Sequence, residues 1–158
     1  MLAAGELDAV IGPRAPSCFR NGHPHVGYRY PDPQRAAADW YRRTGIFPIM
    51  HLLGIRRTLA EAHPWLPYAV TKAFERSKAI CLERLGDTSA TKVTLPFVEE
   101  QLEAARRLMG EDFWSYGLPA NHHGLDRFLD RHHREGLSSR RLAPEELFHP
   151  ASLESHRI

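Results

Sequence analysis

Long apolar runs are missing from this sequence: nowhere do about eighteen apolar residues follow one another, so no segment reads as a membrane-spanning helix. Cysteine is scarce. Cys18 and Cys81 are far apart and lack metal-type spacing, which argues for reduced thiols in a cytoplasmic protein rather than a disulfide framework. Charge of one sign is also missing. The net charge is +2, and the arginine pairs 42–43, 56–57, 106–107 and 140–141 are dispersed rather than gathered into a basic stripe. Nucleic acid is therefore not an expected partner, and helix-surface charge accounts for the pairs. The first residues, MLAAGELDAVIG, carry Glu6 and Asp8 and no basic region, so they do not read as a secretion signal.

What is present is ordinary globular composition, 42% hydrophobic and 25% charged over 158 residues. Residues 6–12, ELDAVIG, read as a strand after a few helical residues that Gly5 stops. Residues 13–33 hold five prolines and two glycines, which makes regular structure improbable there. Asp32-Pro33 opens a helix through Arg43 with Asp32 as N-cap, and Gly45 ends it. The run IFPIMHLLGI, 46–55, has strand length and is apolar on both faces, with Pro48 at an edge or bulge.

Helices follow over Thr58–Ala62, Pro64–Leu85, Pro96–Met109 and Ala120–Glu135, with a short one at Pro144–Phe148. In the second of these the inward side is expected to hold Leu66, Val70, Ala73, Phe74, Ser77, Ile80 and Cys81. Leu125, Phe128, Leu129 and His132 are expected to face inward in the fourth. Trp65, Trp114 and Tyr116 read as core or packing aromatics, although the FWSYG segment could instead cover a neighbouring subunit, which leaves a homo-oligomer open. The count is two strands and five or six helices, an α/β chain dominated by helix. Two strands do not make a stable parallel sheet alone, so further strands are expected from outside these residues.

The segments GELDAVIGPRAPSCF, YRRTGIFPIMHLLGIRR, HPWLPYAVTKAFERSKA, LMGEDFWSYGLPANHHGLDRFL and EGLSSRRLAPEELF resemble the 4,5-dihydroxyphthalate decarboxylase family. The resemblance implies the C-terminal half of a two-lobed fold like that of type II periplasmic binding proteins. Residues 1–12 would hold the last strand of the second lobe, 13–33 the hinge crossing, and 34–158 the C-terminal part of the first lobe. The implied reaction is removal of one carboxylate from a dihydroxylated aromatic diacid, with a small aromatic carboxylate as partner. The alternative on the same fold is a solute-binding module without chemistry. A third possibility is that the isolated chain is inactive because half a cleft lacks a wall.

Decarboxylation requires that the ring carbon bearing the carboxylate be protonated, so a general acid must lie within hydrogen-bond reach. His51 in PIMH is the first candidate, since imidazole exchanges a proton near neutral pH. A buried neutral histidine bonded to backbone is the competing reading. Arg14 follows a strand end in IGPRAPS, where open α/β sheets bind ligands, and Ser17 can donate a hydroxyl hydrogen bond. The competing reading for Arg14 is an ion pair at the surface. Arg43 and Thr44 could hold a carboxylate, or belong to a solvated helix end.

His23 and His25 form an H-x-H pair with no partner ligand close in sequence, so no metal site is assigned and no cofactor is read from the sequence. In NHHGLDRFLDRHH, His122 and Asp126 share a face, while His132 and His133 lie about 16 Å further along the axis. A solvated helix face is the preferred reading of that stretch.

Overall fold

The computed structural model describes residues 1–89 and 92–153. They divide into two units, Met1–Gly45 and Ile46–Ile158.

In the first unit, a turn over the opening residues closes with Gly5 at φ 71°. Residues 6–12 then run without regular structure. The proline-rich loop contains one short helix, α1 (Ser17–Arg20), and two backbone bonds fold the chain after it, from His23 N–H to the Cys18 carbonyl and from Val26 N–H to the His23 carbonyl. Phe19 and Tyr28 pack at 4.7 Å between ring centroids. That contact explains why aromatic residues occur in so proline-rich a loop. α2 (Pro33–Thr44) is placed by its ends. Asp32 Oδ1 accepts from Arg35 N–H at 2.9 Å, Pro33 occupies the first turn, and Gly45 takes the left-handed conformation at φ 65°. Each element of this stop–start chemistry follows from local sequence.

The second unit opens with residues 46–55 as extended backbone and continues into α3 (Arg57–Ala62), α4 (Leu66–Gly86), α5 (Val98–Met109) and α6 (Leu118–Arg134). Two 3₁₀ turns, Pro144–Leu147 and Pro150–Ser152, complete it. α4 packs on α5 and on the second 3₁₀ turn, and α6 packs on the first. Pro67 falls in the first turn of α4, where its missing N–H costs nothing. α5 begins after Phe97, a non-glycine residue at φ 65°, and stops at Gly110.

The buried hydrophobic side chains among the described residues are Ala60, Leu102, Leu118, Leu125 and Leu129. Leu125 and Leu129 confirm the inward face expected of α6. Phe128 does not, being 60% exposed with its ring near His132. In α4, Ala73, Phe74, Ser77 and Cys81 are likewise exposed, and Trp65 is exposed before it. The period located the apolar residues correctly. Their cover is missing: α4 is 21 residues long, and its main helical contacts among the described residues are α5 and one 3₁₀ turn.

The strands expected over 6–12 and 46–55 are not formed, and no strand occurs among the described residues. A strand is defined by its ladder, and no ladder joins either segment to another strand among the described residues. The architecture observed is therefore helical.

Candidate functional site

Ile46 and Ile49 are laid against α6, where a Cβ on Gly124 would stand 3.9 Å from a methyl of each. Phe47 packs on Trp114 with ring centroids 5.5 Å apart. These contacts hold one side of the 46–55 ribbon. The remainder faces solvent: Met50, Leu52 and Leu53 are exposed, the last two by more than 60%. His51 sits among them and is exposed as well. The buried, backbone-bonded histidine considered from sequence is therefore not what this chain contains.

The other expected site residues lie in the first unit. Arg14 is exposed in the loop before α1, and Ser17 is the first residue of α1, also exposed. Arg43 and Thr44 are turned toward their own helix. Arg43 donates from Nε to the Asp39 carbonyl at 3.4 Å, and its guanidinium lies 5.6 Å from the Trp40 ring centroid. Thr44 Oγ1 donates to the Trp40 carbonyl at 2.9 Å. On α2 the described cavity, about 310 Å³ and wide open, is lined by Asp32, Gln34, Arg35, Ala38 and Arg42 rather than by the expected residues.

For a metal, His23 and His25 bring their rings to 5.8 Å, but His23 Nδ1 already accepts from the His25 N–H at 3.3 Å. No group of three or more His, Cys, Asp or Glu side chains converges among the described residues. The pair thus lacks a third ligand there.

A polar seam that the sequence did not reveal runs between α6 and the segment after it. His122 Nε2 and Glu145 Oε1 share a hydrogen bond of 3.0 Å. Arg141 bonds Asp126 and reaches Asp130 at 3.6 Å, while Arg134 reaches the other Asp130 oxygen at 3.2 Å. Next to it, Arg140 grips Glu146 with two bonds of 3.0 and 2.6 Å, and Ala143 N–H adds a third at 2.7 Å. The Arg140 fork and the Ala143 N–H hold the Glu146 carboxyl down at about 2. Asp126 and Asp130, one turn apart, with Arg140-Arg141 downstream, were the available signal. The Arg141–Asp126 and His122–Glu145 partners are 15 and 23 residues apart, so no local rule joins them.

Along its whole length, all 158 residues, the chain is 70% identical to a 4,5-dihydroxyphthalate decarboxylase of Comamonas testosteroni, of which it covers 48%. This chain matches half of a decarboxylase. The half in question is the C-terminal one. A second 4,5-dihydroxyphthalate decarboxylase, from Pseudomonas putida, is 79% identical over 42 residues, 27% of this chain and 16% of that protein. No protein-family model matches. The chain therefore spans about half or less of the length of the curated decarboxylases it matches, and the side chains discussed above belong to that half. No helix among the described residues is long and apolar enough to cross a membrane.

Proposed function

We propose that this chain is the C-terminal portion of a carboxy-lyase that removes one carboxylate from 4,5-dihydroxyphthalate or a close analogue in aromatic catabolism. One observation carries this reading: the 70% identity to the Comamonas testosteroni decarboxylase is spread over all 158 residues. Identity of that extent supports a shared scaffold and shared side-chain chemistry.

The reading assigns the parts as follows. The ring carbon bearing the carboxylate takes a proton, the bond to the carboxylate breaks, carbon dioxide leaves, and that electron pair restores the aromatic ring. His51 supplies or positions the proton. Arg14 and Arg43 hold carboxylate oxygens as charged forks, with Ser17 and Thr44 donating hydroxyl hydrogen bonds. Arg43 would leave the Trp40 ring to do so. On this proposal residues 1–12 and 34–158 belong to two lobes of a type II periplasmic-binding-protein-like fold, 13–33 form the hinge, and closure excludes water. The setting is cytoplasmic, as the cysteine usage favours.

The test is a chimera joining this chain to the part of the Comamonas testosteroni protein that it does not match. The chimera and the 158-residue chain are incubated with 4,5-dihydroxyphthalate while carbon dioxide release is followed. Release by the chimera alone supports the reading. A folded chimera that binds small aromatic acids without releasing carbon dioxide points instead to a solute-binding module.

A further inference from the structure

Residues 47–55 make no backbone hydrogen bond to any described residue. Eight N–H groups (nine residues less Pro48) and nine carbonyls therefore have no backbone partner among the described residues. The same ribbon carries Met50, Leu52 and Leu53, each more than half exposed. Its backbone and its side chains make opposite demands. The side chains favour cover, but cover by a helix or by loose side chains would strip water from the backbone groups and leave them unsatisfied. Only another extended strand supplies N–H and carbonyl groups in matching register while covering the side chains.

Free sheet edges in soluble proteins are guarded by charge, a bulge or a very short span. This one has none of those devices between Ile49 and Leu53, where the only polar side chain is His51. Ile46, Phe47 and Ile49 meanwhile fix its first half against Gly124 and Trp114. The ribbon is thus anchored, extended and unguarded, which is the condition of a strand whose neighbour lies outside these residues.

We infer that residues 49–53 form a docking edge for a β-strand contributed by the part of the decarboxylase polypeptide that this chain does not span. The curated relative supplies about as many further residues again, since this chain covers 48% of it. The inference rests on the proposed decarboxylase reading for the identity of its occupant. Pairing starts after Pro48, which has no N–H to give, and it places His51 inside the joined structure.

Hydrogen exchange of the 49–53 amides tests this, in the 158-residue chain and in the chimera. We expect rapid exchange in the free chain and slowing on the order of a hundredfold or more in the chimera. Leu52→Lys should abolish that protection, while Leu137→Lys, at an exposed site away from the ribbon, should leave it. Fast exchange in a chimera that releases carbon dioxide overturns the docking edge and spares the function. Protection in a chimera without activity does the reverse. Protection in the free chain that grows with concentration would assign the edge to a second copy and overturn the occupant proposed here.

Discussion

Lys78 and Asp112 are 34 residues apart in sequence and 2.6 Å apart in space, Nζ to Oδ1. The same ammonium donates to the Trp114 carbonyl at 3.1 Å and lies 4.8 Å from the Tyr116 ring centroid. One side chain of α4 thereby fixes the segment between α5 and α6, and with it Trp114, on which Phe47 rests.

Replacing Lys78 with Ala should destabilise the second unit by about 1–2 kcal/mol, the sum of a partly exposed ion pair and a cation–π contact. Lys78→Met keeps most of the stem's packing and should lose less. Urea unfolding of both variants decides: equal losses would assign the effect to the lost charge contacts alone, and no loss in Lys78→Met would assign it to packing alone.

Core truncation should separate the two faces of α6. Leu125 and Leu129 are no more than 5% exposed, so Leu125→Ala should cost about 2–5 kcal/mol. Phe128→Ala should stay within about 0.5 kcal/mol. A large loss at Phe128 would mean that its ring is covered in solution, contrary to the packing described.

The Glu146 carboxyl should give a pH signature. Its value is lowered from the ordinary 4.5 to about 2, first by hydrogen bonding to Arg140 and then by the Ala143 N–H. Because the folded value is the lower one, the stabilisation is complete above pH 4.5 and is lost as pH falls toward about 2. The destabilisation caused by Glu146→Gln should accordingly be full at neutral pH and vanish near the bottom of that window. A carboxyl resonance of Glu146 titrating near 4.5 would show that the Arg140 fork does not persist in solution.

Activity offers a further check. In a chimera that releases carbon dioxide, His51→Ala should lower kcat far more than it weakens substrate binding, as expected of a group acting on the proton. Unchanged turnover would remove His51 from the proposed chemistry.

How much of this was legible in the sequence depends on how local the cause is. Asp32, Pro33, Gly45 and Gly110 act within one turn of the backbone, and the ends of α2 and α5 fall close to where those residues predict. The strands were not legible in this sense, because a ladder needs a partner and the pattern of 46–55 specifies only half of one. Phe74 and Phe128 show the same limit for helices: periodicity says which face is apolar, and only the neighbours decide whether it is covered. For the candidate site, His51 stood out as the polar residue in an apolar run. The stacking of Arg43 on Trp40 depends on side-chain rotamers, and the bonds of Arg141 to α6 depend on a chain reversal, so neither was readable from spacing.

The small set of buried side chains has a calorimetric consequence. Unfolding a well-packed domain raises the heat capacity by about 12–15 cal/mol/K per residue, because apolar surface enters water. In this chain much of that surface, Met50, Leu52, Leu53, Phe74 and Trp65 included, is in water already. Its heat-capacity step should therefore be small for its length and its melting broad, whereas joining it to whatever covers those residues should release heat capacity at the moment of assembly.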